Sequence, residues 1–428
     1  MNEQPRRFLE RVWRSVRQSP SATTADDLIA LCDSLLSERG EVSSARIASE
    51  AVAAYEQLNE RGRELFFTNL VDHYGADAGG VTSAINEYRN HPSATHLAAL
   101  HAATESRRQE LFRRLNTAPG GTHMLVRMRA DLLRTLGEHP ERSAVDADLR
   151  HLFRSWFNRG FLVLQRIDWR TSALILERLI QYEAVHQIQG WDDLRRRLQK
   201  DRRCYAFFHP ALPDEPLIFI EAALTAGILG YVRPLLDPQS TVDDPGDARC
   251  AIFYSITNCQ TGLRGVSFGN FLIKQVVEDL SREFRKIRKF ATLSPVPGFR
   301  SWLMHHRELM SPTLASLTLD SSAALTAVPD AIRDEIMQLC AYYLLRAKRG
   351  HAPLDPVARF HLANGARLAR LNWGGDVSSA GIASSLGITA NYVYRMADVE
   401  QNHEAYAKDF KVMASFSLER LARDVKTA

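Results

Sequence analysis

FYSITNCQTGLRGVSFGNFLIK (253–274), followed by ATLSPVPGF (291–299), decides the reading of this chain. Phe253, Tyr254, Ser255 and Ile256 close a β-branched and aromatic run that predicts a strand. From Ile273 the apolar residues Ile273, Val276, Val277, Leu280 and Phe284 recur at helical spacing. Between strand and helix, Gly262, Gly265 and Gly269 leave the backbone bare, and Ser267 or Asn270 is placed to cap the helix. Bare N–H groups beside the positive end of a helix make a site for phosphate, the kind that holds the pyrophosphate of a coenzyme. A second short strand then runs into Ser294, held between turn-forming residues.

Outward from this stretch the chain changes texture near residue 157. Residues 1–157 read as helix after helix. Thr23 or Thr24 caps a segment with Leu28, Leu31 and Leu35 on one face. Ser93 opens another that carries Leu97, Leu100, Leu111, Phe112 and Leu115 as far as Pro119-Gly120-Gly121. Thr122 opens a third, through Leu125, Met128, Leu132 and Leu136. His91, His96 and His101 recur every five residues, a step that does not keep side chains on one helix face, so no metal site is expected there. From 158 to 428 short β-type runs (Tyr205–Phe208, Leu217–Ile220, Ala251–Ile256) alternate with helical segments such as Thr171–Gln187 and Phe271–Arg285. The expectation is an all-helical N-terminal bundle over 1–157 and, over 158–428, a domain of α+β or α/β class with a mixed rather than strictly parallel sheet.

Composition narrows the class. The chain has 428 residues, 45% hydrophobic and 24% charged, with a net charge of +4, which is too small for a nucleic-acid binder of this length. Its five cysteines form no CxxC pair, so neither a disulfide framework nor a zinc site is expected. No apolar run is long enough to span a bilayer; the longest, Leu217 to Val232, contains Glu221 and Gly227 and reads as strand plus turn. MNEQPRRFLERVWRSVRQ (1–18) lacks a signal-peptide core, and VKTA (425–428) is not a peroxisomal tripeptide. The expected compartment is the cytoplasm.

Several blocks are specific in combination: RRCYAFFHPALPDEPLIFIEAALT (202–225), AIFYSITNCQTGLRGVSFGNFLIK (251–274), LSPVPGFRSWL (293–303), PVARFHLANGARLARLNW (356–373) and DVSSAGIASSLGITANYVYR (376–395). In them the chain resembles the malonyl-CoA decarboxylase family. The resemblance implies a helical oligomerisation domain and a catalytic domain of the GNAT acyltransferase type. It implies conversion of malonyl-CoA to acetyl-CoA and carbon dioxide by a homo-oligomer, dimer or tetramer; the charge and hydropathy above give no expectation of a nucleic-acid or membrane partner. It implies no metal and no separate cofactor, the CoA moiety being part of the substrate, and no biotin. The family's CoA-binding loop falls on Arg264, Gly265, Val266, Ser267, Phe268, Gly269 and Asn270. Its catalytic serine falls on Ser294, its histidine on His361 and a further tyrosine on Tyr394.

Those residue types suit the chemistry. Loss of carbon dioxide from a malonyl thioester leaves an enolate, so hydrogen-bond donors at the thioester oxygen and a proton donor at the carbon lower the barrier. One preorganised donor contributes on the order of 3 kcal/mol. His361 suits the donor's part, and Ser294 suits orienting the carboxylate or relaying a proton. Pro295, Pro297 and Gly298 set the backbone beside it. GVSFG (265–269) also satisfies the GxSxG pattern of a nucleophile elbow, but Thr257 to Arg264 separate it from its strand, where an elbow serine follows the strand directly. The alternatives are a CoA-dependent acyltransferase acting on an amine, a helical scaffold with a vestigial CoA site, and a hydrolase through Ser267. His209 is expected to be structural.

Overall fold

The computed structural model describes residues 23–266, 268, 272–423 and 425. Of the sequence features above, the stretch 1–18, three residues of the glycine loop (Ser267, Gly269, Asn270) and most of VKTA lie outside the described residues. The chain divides into two compact units: Met1–Asn158 with Gln260–Ser267, and Arg159–Cys259 with Phe268–Ala428.

The first unit is helical, as its periodicity requires. Thr24 starts helix Ala25–Ser37 in a reciprocal capping box with Asp27, and Leu28, Cys32 and Leu35 turn inward. Helices Glu41–Gln57, Glu60–His73, Arg107–Asn116, Gly121–Thr135 and Ser143–Trp156 complete a core that includes Phe66, Phe67, Leu70, Phe112, Leu125, Leu132, Leu149 and Phe153. Each such side chain contributes about 1.5–3 kcal/mol relative to exposure. The segment opened by Ser93 is two helices rather than one. Ala94–Thr104 ends at Glu105, and Ser106 starts Arg107–Asn116. The break is fixed by Ser106 Oγ and Arg108 Nε, which both donate to Asp148, while Arg108 Nη1 donates to the Leu70 carbonyl. His96 Nδ1 lies 2.6 Å from the His91 carbonyl oxygen and 3.1 Å from Ser93 Oγ, local contacts around a helix start.

The segment Gln260–Ser267 joins this unit because of Gly262. A Cβ at that position would collide with the Val126 carbonyl, so only glycine allows the approach. Buried Arg129 ties the contact: Nη1 donates to the Gly262 carbonyl at 2.6 Å and Nε to Asp146 at 2.8 Å.

The second unit is built on an eight-stranded sheet, order β1-β2-β3-β4-β5-β10-β6 with β9 on β10. The strands are β1 Val163–Ile167, β2 Arg202–Phe208, β3 Ile218–Thr225, β4 Cys250–Asn258, β5 Lys289–Thr292, β6 Ser294–Pro295, β9 Arg367–Asn372 and β10 Thr389–Tyr394; β7 Lys348–Arg349 and β8 Ala352–Pro353 form a separate hairpin. The sheet is mixed and chiefly antiparallel; β4 and β5 are its parallel strand pair, joined through helix Leu272–Glu283. β2 and β3 are buried along their whole length, charged residues included: Arg202 and Arg203 on β2 and Glu221 on β3 lie inside, with Glu221 accepting from Arg197 Nη1 at 2.7 Å. The helix expected over Thr171–Gln187 is shorter, Ala173–Tyr182. It stops because the Glu183 carboxylate turns back to accept from the backbone N–H groups of Val185 and His186 and from Ser255 and Thr257 on β4.

Candidate active site

Ser294 opens β6, directly beyond β5, and pairs with Ala390 of β10. Strand alternation puts Thr292 and Ser294 on one face. The backbone continues through Val296 into helix Phe299–His305. At Gly298 a Cβ would run into the Tyr343 hydroxyl, which is why glycine follows Pro297.

His361 comes from helix Pro356–Ala363. Asp355 caps it, accepting from the Ala358 N–H at 2.7 Å, and Pro356 takes the first position, where no N–H is needed. The helix stops at Gly365, whose φ of +81° suits glycine and whose missing side chain makes room for the Val399 carbonyl. That stop puts His361 in the last turn, with its ring facing the sheet. Tyr394 arrives from the far end of β10.

These three residues meet. Ser294 Oγ is 3.0 Å from His361 Nε2, and His361 Nδ1 is 2.8 Å from the Tyr394 hydroxyl. Tyr392 stacks on the imidazole, ring centroids 4.6 Å apart at 26°. All are buried, His361 at 3% exposure. Burial pushes the His361 pKa down to about 3 and that of Tyr394 well up, so at neutral pH both rings are uncharged. With a single ring proton, the imidazole gives one hydrogen bond and accepts the other.

Four residues of the cluster escape a reading by motif. Thr292 Oγ1 accepts from Ser294 Oγ at 2.8 Å and from the Tyr392 backbone N–H at 3.1 Å. Asn391 is fully buried: its amide donates to the Thr292 and Leu229 carbonyls, and its Oδ1 accepts from Arg370 and Asn372. Tyr392 and Asp355 are the others. The period-2 spacing of Thr292 and Ser294, and a strand reading TANYVY with an asparagine in it, are the signals that could have exposed them.

The glycine loop is a 3₁₀ turn, Thr261–Leu263, followed by Arg264, which is exposed, and Gly265 at φ +75°. The Val266 N–H returns to the Leu263 carbonyl. Val266 and Phe268 are buried. β4 ends at Asn258, so residues 259–266 separate the strand from Ser267, unlike the geometry of a nucleophile elbow. His209 bridges to Leu212, and its Nδ1 accepts from the Ala211 N–H, a structural use. Among the described residues no three His, Cys, Asp or Glu side chains gather to hold a metal ion, and no helix is long and apolar enough to cross a membrane.

Fold and site together define a two-part α+β protein: a helical unit, and a mixed-sheet unit that presents a buried serine–histidine–tyrosine cluster at the end of its parallel strand pair. The sequence pattern of the malonyl-CoA decarboxylase C-terminal domain matches residues 160–428, and that of the N-terminal domain matches 74–157. The chain belongs to the malonyl-CoA decarboxylase family. It is 36% identical to the mitochondrial malonyl-CoA decarboxylase of Anser anser anser over 343 residues, covering 72% of this chain and 68% of that protein. It is 35% identical to the Rattus norvegicus protein of the same name over 350 residues, covering 74% and 71%. The crystal structure of malonyl-CoA decarboxylase from Rhodopseudomonas palustris superposes with a TM-score of 0.88 at 48% identity, over 93% of this chain and 99% of that one. The Agrobacterium vitis structure gives 0.85 at 48% identity, over 92% and 99%.

Proposed function

We propose that this chain converts malonyl-CoA to acetyl-CoA and carbon dioxide, and that Ser294, His361 and Tyr394 carry the reaction. The observation behind the assignment of residues is the buried string Ser294–His361–Tyr394, with Ser294 Oγ 3.0 Å from His361 Nε2. The bond between the carboxylate and the α-carbon breaks, carbon dioxide leaves, and the electron pair moves onto the thioester oxygen as an enolate. A proton, supplied in net by solvent, then adds to the α-carbon to give acetyl-CoA. Ser294 and the neutral imidazole supply donors where that charge develops, in a site dry enough for them to act strongly. Tyr394 holds the ring through Nδ1.

The coenzyme is assigned to the loop Arg264–Asn270. The positive φ of Gly265 and the exposed Arg264 support it, since a left-handed glycine turns successive N–H groups to one side for a phosphate. The GNAT-like character of the sheet unit is supported by its topology, in which the connection between parallel β4 and β5 contains this loop and helix Leu272–Glu283. We assign no metal, biotin or separate cofactor.

Self-association is assigned to the helical unit. Helices Ala78–Asn90 and Ala94–Thr104 pack on each other and carry no buried residue, which leaves Ile85 and Leu97 exposed for a second copy. The five cysteines are all free and buried, which suits the reducing cytoplasm.

The test is to incubate purified protein with malonyl-CoA and a chelator and to separate the products by chromatography. Acetyl-CoA without free CoA is the expected result. Free CoA with malonate would replace this reading with a thioesterase. Release of CoA only when an amine is added would replace it with an acyltransferase.

A further inference from the structure

The direction of the proton at Ser294 can be worked out from the hydrogen bonds around it. Ser294 Oγ has one hydrogen and gives it to Thr292 Oγ1 at 2.8 Å. Its 3.0 Å contact to His361 Nε2 must then be donated by the ring. A neutral imidazole carries one N–H, so Nδ1 is bare and accepts from the Tyr394 hydroxyl at 2.8 Å. The string runs Tyr394 to His361 to Ser294 to Thr292, each of the first three donating to the next and Thr292 accepting at the end.

Thr292 is built to be the end of that string. It is fully buried, and the Tyr392 N–H at 3.1 Å occupies its hydroxyl oxygen from the other side. Where a backbone ladder bond would join β5 to β10, the Asn391 amide instead donates to the Thr292 carbonyl at 2.6 Å. Asn391 is itself held by Leu229, Arg370 and Asn372. Two side chains therefore replace the regular strand pairing at this level and leave the Thr292 hydroxyl facing Ser294.

We infer that Thr292 is a positioning residue that fixes the tautomer of His361, keeping the ring proton on Nε2, and that it does so by drawing the Ser294 proton away from the ring. Without Thr292 the serine can turn its proton onto Nε2, and the ring proton then moves to Nδ1 and points at Tyr394 instead. In the state Thr292 maintains, two hydrogens lie on Ser294 Oγ, its own and that of Nε2. The serine's hydrogen can swing from Thr292 to a bound substrate, one hydrogen bond exchanged for another. This inference rests on the assignment of Ser294 and His361 to the decarboxylation.

Thr292→Val keeps the shape and removes the hydroxyl; Thr292→Ser keeps the hydroxyl. With ¹⁵N-histidine-labelled protein at pH 7, His361 of the parent chain is expected to show its proton on Nε2. Thr292→Val is expected to move it toward Nδ1 and to lower kcat for malonyl-CoA by tenfold or more, with KM within twofold. Thr292→Ser is expected to restore both. A proton on Nδ1 in the parent chain would overturn the inference, as would a Thr292→Val variant with parental tautomer and kcat, or a loss carried wholly by KM. Should Thr292→Val not fold, the pair Thr292→Ser and Thr292→Ala decides, since both lack the methyl and differ in the hydroxyl: equal kcat overturns, and a tenfold gap supports. The tautomer is read on the resting protein, so it stands or falls apart from the assignment of the reaction. Full turnover in Ser294→Ala, run alongside, would remove that assignment instead.

Discussion

Lowering the pH should destabilise this protein in part through His361, by an amount the burial of its ring sets. The imidazole lies between two hydroxyls, with no acidic partner to offset its burial, and its pKa falls to about 3. An unfolded chain titrates its histidines near 6.5. The folded pKa is depressed, so the unfolded state takes up the proton first. The contribution of the neutral ring is fully present above pH 6.5 and is lost progressively as the pH falls toward 3. Each unit costs about 1.4 kcal/mol, which makes the loss about 3 kcal/mol at pH 4 and about 4 kcal/mol at pH 3. His361→Gln keeps a side chain that can both donate and accept but cannot titrate. Urea unfolding of both proteins at pH 7 and pH 4 isolates the effect, because every other titrating group cancels in the double difference. The parent chain should lose about 3 kcal/mol more than the variant between the two pH values. Equal losses would mean that His361 titrates normally, and would refute the dry, neutral ring on which the proposed chemistry depends.

Other outcomes follow from particular contacts. Gly262→Ala drives a Cβ into the Val126 carbonyl and should lower stability by roughly 1–3 kcal/mol in thermal unfolding. It should also weaken CoA binding in calorimetry by displacing the adjoining loop; unchanged affinity would detach that loop from the coenzyme. Tyr394→Phe strands His361 Nδ1 and should lower kcat about tenfold, the rate equivalent of about 1.4 kcal/mol of lost support; steady-state kinetics on malonyl-CoA checks it. Asp355 is buried with its pKa pushed up to about 6, so its contribution to stability is complete below about pH 4 and is lost as the pH rises through 6. Asp355→Asn keeps an oxygen for the Ala358 N–H, and should remove that dependence when stability is compared at pH 5 and pH 8.

What could be read in the sequence was what local chemistry dictates. The strand carrying Phe253 to Ile256, the helix carrying Val276 and Leu280, and the caps at Thr24 and Ser93 are encoded within a few residues of themselves. Ser294 and His361 could be named from short motifs, although 67 positions separate them. The break at Glu105-Ser106 was not legible, because Asp148, which fixes it, lies 42 positions away from Ser106. Glu183 ended its helix early for the same reason: its partners Ser255 and Thr257 sit on a strand more than 70 positions on. Gly262 looked like a phosphate-loop glycine and serves close packing on Val126. Thr292 and Asn391 carried only faint signals, a period-2 spacing to Ser294 and an asparagine within a strand, since their contacts depend on which strands become neighbours.

The measurement that bears most directly on the central claim is turnover and CoA affinity of Ser294→Ala, determined side by side. Loss of a group that acts on the developing enolate should lower kcat by about a hundredfold or more. The dissociation constant for CoA should stay within twofold, because the loop proposed to hold the coenzyme, Arg264–Asn270, does not include Ser294. A Ser294→Ala protein that retains most of its turnover, or that loses activity only by losing CoA, would contradict the account.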